Sequence, residues 1–330
     1  MKDLLGLLTA TYGPSGNEDP IRELIENEIK DYVDELSTDA LGNLIAVKKG
    51  NGTGKKVMIA AHMDQIGLIV TGIDDKGFLR FSNIGGVSVL NIINRRVKFK
   101  DGTCGVVSYE SEIDDIKKLT LQKMYIDIGA KNKEEAAERV EIGDVAVYDA
   151  PMFASGDRLS ACAMDNRVGC VVAIEALKRV KESDHDLYFV FTVQEELGLR
   201  GARTSAYGIM PDIGIALDVT LTGDTPNARR MAIKLGQGPA IKVKDSSVIS
   251  HPMVKNLMIK RAKEANIPYQ LEVLEAGGTD SGAIHLTASG VPSGVISVPC
   301  RYVHSGQEMI DLRDMMQATD LLVAILNKDL

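Results

Sequence analysis

The 330-residue sequence contains no tryptophan, and aromatic residues make up only 5% of it. A sugar-stacking platform is hard to build from such a chain. Its four cysteines, Cys104, Cys162, Cys170 and Cys300, show no CxxC spacing. With no export signal, they are expected to be reduced thiols in a cytoplasmic protein. No apolar run approaches the roughly 18 residues of a membrane span, so no membrane partner is expected. The opening stretch Met1-Lys2-Asp3-Leu4-Leu5-Gly6-Leu7-Leu8 reads as an amphipathic helix and not as a signal peptide. The net charge is −8 and no lysine/arginine cluster stands out, which argues against nucleic acid as a partner. Repeats and low-complexity segments are also missing. What is present is an ordinary globular balance, 45% hydrophobic and 25% charged, in a chain long enough for two domains.

Hydrophobic spacing predicts a helix over 20–34, with Ile21, Leu24, Ile25, Ile29 and Val33 on one face. Asn43 to Lys48 and Val57 to Ala61 read as strands separated by an Asn51-Gly52 turn. The segment 68–161 is rich in glycine, valine and isoleucine in short alternating runs. It includes a hairpin at Arg96 to Ser108 turning on Asp101-Gly102. It reads as a β-rich domain (68–161) inserted into an α/β domain formed by 1–67 and 162–330. Helices are expected at Val168 to Val180, Pro252 to Ala265 and Asp311 to Asn327. Buried strands are expected at Leu187 to Val193, Ile213 to Leu217 and Gly294 to Val298.

Chemistry-bearing residues follow these buried strands. His62 and Asp64 come after the first, Glu195 and Glu196 after the second, Asp218 after the third, and His304 a short loop after the fourth. Asp165 stands at a helix start. Ligands of open α/β sheets bind beyond the carboxyl ends of the strands. Imidazole and carboxylate donors without thiolate suit zinc, cobalt or manganese in a hydrolytic site. Of the adjacent pair Glu195-Glu196, one can hold a metal while the other takes a proton from water. In His62-x-Asp64 the acid can accept the second imidazole N–H and fix the ring.

Taken singly, each of these residues has an ordinary reading as a satisfied pair, a solvated strand end or an N-cap. Their convergence on one sheet edge favours a metal site. His185 reads as an exposed turn residue, His251 as a helix-starting residue, and His285 stays unassigned. The stretch Gly277 to Gly282 lacks a P-loop lysine and suits a tight turn or a backbone approaching a substrate. A deacylase or carboxypeptidase on the same metals, a two-carboxylate glycoside hydrolase and a non-enzymatic metal assembly are the alternatives.

The strings Ala61-His62-Met63-Asp64, Asp165-Asn166-Arg167-Val168-Gly169-Cys170, Gln194-Glu195-Glu196-Leu197-Gly198, Leu217-Asp218-Val219-Thr220, Gly277-Gly278-Thr279-Asp280 and Val303-His304-Ser305 occur in this order. Together they resemble the tetrahedral (TET) aminopeptidases, peptidase family M42, over essentially the whole chain. The resemblance implies an α/β/α sandwich with a mixed central sheet, interrupted by a small β-barrel-like dimerisation domain. It implies two divalent metal ions per subunit (zinc, cobalt or manganese) and peptide substrates. Asp165 would bridge the ions, His62 and Asp218 would complete one, and Glu196 and His304 the other. Glu195 would be the general base and Asp64 the support of His62. Dimers would assemble into a hollow tetrahedral dodecamer. Cys162 departs from the pattern, standing where relatives often carry lysine.

Overall fold

A computed structural model describes residues 1–52, 54–228 and 230–327. Four parallel strands, Asp186–Thr192, Lys56–His62, Ile213–Leu221 and Ser293–Arg301, lie side by side in that order at the centre of an eleven-stranded mixed sheet. Antiparallel strands extend the sheet on both flanks. Leu44–Lys48 and Glu35–Thr38 lie on one side, and Glu308–Asp311, Arg158–Ala161 and Phe153–Ser155 on the other. Ala240–Lys244 and Gln270–Val273 branch from Ser293–Arg301.

Alternation along the strands sets the layers. In Lys56–His62, Val57, Ile59 and Ala61 face a core shared with helices Lys2–Ala10, Asp19–Ile29, Met164–Arg179, Pro252–Glu264 and Leu312–Leu326. Met58 and Ala60 face the opposite side, against helices Arg200–Ile209 and Ser281–Ile284. This period-two pattern, buried on both faces, yields an α/β/α sandwich. Because the four central strands are parallel, their carboxyl ends share one edge.

The inserted unit is a closed barrel of six strands, ordered Gly67–Ile73, Leu79–Ile84, Met124–Asp127, Cys104–Tyr109, Arg96–Lys98 and Val145–Tyr148. Closure leaves no free edge. Leu68, Val70, Leu79, Phe81, Val107, Met124 and Ile126 fill a core separate from that of the sandwich. Among the described residues, no helix is long and apolar enough to cross a membrane.

Several expectations need correction. The barrel's last strand ends at Tyr148, and the hairpin Phe153–Ala161 pairs into the large sheet through Glu308–Asp311, so the insert is shorter than 68–161. The helix expected over 20–34 stops at Ile29 and tightens into a 3₁₀ turn, Lys30–Tyr32. The strands Leu44–Lys48 and Lys56–His62 form as expected and lie on either side of Asp186–Thr192. His185 is buried, its Nδ1 accepting from the Lys55 N–H at 3.0 Å, where an exposed turn residue was expected. His251 caps its helix as expected, accepting from the Met253 N–H.

Candidate metal centre

The expected ligands meet at the sheet edge. His62 is the last residue of its strand. Asp218 lies within its strand, which runs on to Leu221 and does not stop at Leu217. Ligand atoms of His62, Asp165 and Asp218 all lie within 4.8 Å of one another, and so do those of Asp165, Glu196 and His304. Asp165 belongs to both groups. Its Oδ1 is 3.1 Å from His62 Nε2, and its Oδ2 is 3.3 Å from His304 Nε2. His304 Nε2 is also 3.0 Å from Glu196 Oε1, and His62 Nε2 is 3.8 Å from Asp218 Oδ1. Glu195 belongs to neither group. Its Oε2 reaches to 4.0 Å from His62 Nε2, beside the ligands.

Local sequence explains how Asp165 is presented. Asp165 and Asn166 leave helical geometry at the start of Met164–Arg179. The Asn166 amide donates to the Leu217 carbonyl at 2.8 Å, tying this helix to the strand that carries Asp218. The Asn166 Oδ1 accepts from the Gly169 N–H at 3.0 Å, and a Cβ at Gly169 would stand 2.3 Å from that oxygen. Arg167, fully buried, donates to the Leu8 carbonyl at 2.9 Å and anchors the N-terminal helix.

The backbone around the site is strained. Ala163, Gln194, Leu199 and His304 all have left-handed φ between 52° and 60°. A left-handed residue other than glycine costs about 1–3 kcal/mol, and such outliers gather at functional sites. Here they flank Asp165 and the Glu195-Glu196 pair, and one is His304 itself.

Asp64 supports the site more widely than a His-x-Asp pair suggests. Its carbonyl lies 3.2 Å from His62 Nδ1 and its Oδ1 lies 3.4 Å away. The carboxylate accepts from the Ser15 hydroxyl at 2.6 Å and from the backbone N–H groups of Glu195 and Glu196 at 3.0 and 3.3 Å. One buried acid thus orients both the histidine and the glutamate pair.

Sequence reasoning missed Glu308. It is buried and accepts the N–H of Asp165 at 3.0 Å and of His304 at 2.6 Å, holding the backbones of two ligands. It also missed the barrel's contribution. A Cβ at Gly86 would stand 2.6 Å from His304 Nδ1, and one at Gly85 2.8 Å from Glu196 Oε2. Asn91 donates to the His304 carbonyl at 3.1 Å. The stretch Gly277-Gly278 does line the cleft, with φ +96° at Gly277, and Asp280 lies buried behind it, accepting from Thr192 at 2.5 Å. Cys162 is buried with its Sγ 3.4 Å from the Tyr148 carbonyl and 3.6 Å from that of Ala150.

The electrostatics suit a cation. Burial pushes Glu195 and Asp218 well above the ordinary carboxylate range and raises Glu196. Burial would also raise Asp165, but hydrogen bonds from His304 and His62 hold it low. Burial pulls both imidazoles down, yet the surrounding acids win. Glu195, Asp165 and Asp64 raise His62, and Asp165 and Glu196 bring His304 up to about 12. Burial raises Glu308 to about 8. Crowded, desolvated carboxylates of this kind call for compensating positive charge, and divalent ions at the two donor groups would supply it. The donor set, imidazole and carboxylate without thiolate, fits such ions.

A sequence model described as M42 glutamyl aminopeptidase matches residues 42–321. The chain is 59% identical over 323 residues to a putative aminopeptidase of Acetivibrio thermocellus, covering 98% of this chain and 97% of that one. It is 36% identical to the lysyl aminopeptidase of Pyrococcus furiosus, covering 99% and 96%. Its fold superposes on a Pyrococcus horikoshii TET1 peptidase, described as assembling into a tetrahedron or a large octahedral shell, with a TM-score of 0.88 and 34% identity over 98% of each chain.

Proposed function

The chain belongs to the M42 peptidase family and is an aminopeptidase, and on that premise we propose a two-ion mechanism built on the residues above. Two divalent ions, zinc, cobalt or manganese, would be held at the two donor groups, and Asp165 would serve both. His62 and Asp218 would complete the donors of one, and Glu196 and His304 those of the other. The observation that carries this reading is the split of the Asp165 carboxylate, one oxygen toward each histidine. Bound ions of this kind polarise a scissile carbonyl and lower the pKa of an attacking water.

The protein's own groups do the rest. The free amine of the peptide enters among the carboxylates of the cleft. Glu195, beside the ligands and outside both donor groups, takes the proton of the attacking water. It then passes that proton to the departing amine nitrogen. Its buried surroundings raise its basicity, which fits a proton carrier. Asp64 and Glu308 keep the ligand-bearing backbones in place.

The reading extends to assembly and location. The chain forms dimers that build a tetrahedral dodecamer, a reading supported by its likeness to a TET1 peptidase described as a dodecamer. It works in the cytoplasm, in keeping with its four unpaired cysteines. The test is hydrolysis of aminoacyl and N-acetyl-aminoacyl chromogenic amides after chelation and again after return of zinc, cobalt or manganese. Metal-restored cleavage confined to free-amine substrates is expected. Equal release of the chromophore from the acetylated substrates would show an amidase that needs no free amine and would contradict the aminopeptidase mechanism.

A further inference from the structure

We infer that the enzyme selects peptides beginning with a neutral aliphatic residue, leucine or methionine, and that Leu274 is part of the wall that sets this choice. The inference rests on the aminopeptidase reading.

The donor groups sit in a cleft of about 580 Å³. Its acidic floor is formed by the ligands and Glu195. The segments that bring in the ligands also bring in its walls. Val219 and Leu221 continue the strand of Asp218, Val303 precedes His304, and Leu199 follows the glutamate pair. Leu274 and Ala276 close the wall from the loop that ends in Gly277-Gly278. Six of the wall side chains are aliphatic, and Thr220, between Val219 and Leu221, adds one neutral hydroxyl and no charge.

The scissile carbonyl and free amine must lie on the floor, where the proton carrier is. The first side chain of the peptide then lies against the aliphatic wall. Among the described residues that line the cleft there is no lysine or arginine, so a glutamyl carboxylate finds no cation there. Every lining carboxylate belongs to the donor groups or is Glu195, so a lysyl ammonium has no free acid to pair with. Glu275 is exposed and stays out of the wall, although both its neighbours contribute to it. An unpaired charge buried against such a wall is strongly disfavoured, while an aliphatic side chain gains from the same burial. Selectivity therefore differs here from the glutamyl and lysyl names carried by the family and by the Pyrococcus furiosus relative.

The experiment measures kcat/KM of the metal-loaded enzyme on leucyl, methionyl, glutamyl, aspartyl, lysyl and arginyl amides. Leucyl and methionyl substrates are expected to lead all four charged ones by roughly 10²-fold, as a pocket that leaves a charge unpaired discriminates at least as well as one that misfits a methylene. Leu274→Arg is expected to raise the glutamyl-to-leucyl ratio, and Leu274→Glu the lysyl-to-leucyl ratio, each by about tenfold or more. A charged residue leading the wild-type ranking overturns the aliphatic assignment but leaves an aminopeptidase. Ratios unmoved by both charge insertions in folded protein overturn the role of Leu274. Failure to cleave any free-amine amide in any metal state overturns the aminopeptidase mechanism itself.

Discussion

The two halves of the metal centre are built differently. His62 and Asp218 ride on adjacent central strands, with side chains 2% and 8% exposed. Glu196 and His304 stand on irregular backbone, and His304 is 31% exposed and left-handed. The first half is held by the sheet. The second is held by Glu308 from below and by the barrel from above, through Gly85, Gly86 and Asn91. A site on strands inherits the sheet's rigidity, whereas a site on loops needs partners from elsewhere in the chain. The inserted barrel therefore has work to do at the active site, in addition to any role between subunits.

The largest expected effect removes the acid that belongs to neither half. Glu195→Gln should lower kcat on the order of 10²–10⁴-fold while both ions stay bound, since a general base is lost and no ligand is touched. Steady-state rates beside metal analysis check this, and near-normal turnover would exclude Glu195 as the base. Next, Gly86→Ala pushes a methyl onto the His304 ring and should weaken one ion alone, by about 10–100-fold, the usual size for disturbing a ligand's support. Titration with a chelator would then show one weakened step and one unchanged. Equal weakening of both steps would erase the distinction between the halves.

Both imidazoles hold their protons more tightly than usual in the metal-free protein, so ions must displace them. The sign follows: affinity rises with pH, and at neutral pH loading should release a number of protons drawn from both halves. Calorimetry in two buffers of different ionisation enthalpy reads this number. The smallest change is Asn91→Ala, which deletes one hydrogen bond to the His304 carbonyl, worth about 1 kcal/mol. It should weaken the His304 ion roughly fivefold, with the same chelator titration as the readout.

The same contrast explains what was legible in the sequence. His62, Glu195, Glu196 and Asp218 could be read because each follows or ends a near-continuous apolar run, and such runs mark parallel strands whose ends converge. Asp64 could be read from its spacing to His62. Glu308 could not, because it sits in a short flanking strand with no apolar run before it and meets Asp165 only through tertiary packing. Gly85 and Gly86 were hidden for the same reason. The insert's end was misplaced because the hairpin Phe153–Ala161 has the short β texture of the barrel but pairs with the large sheet. His185 misled because its aspartate neighbours look solvent-exposed, while its ring fills a turn beside Lys55. Local pattern reveals which strands exist. Pairing between distant segments decides which sheet they join.

The central claim is that one carboxylate, Asp165, joins two differently supported ion sites. Anomalous diffraction from metal-loaded crystals of the Glu195→Gln protein tests it most directly. The account predicts two peaks on either side of Asp165, one beside His62 and Asp218 and the other beside Glu196 and His304. A single peak, or ions bound without Asp165 between them, would contradict it.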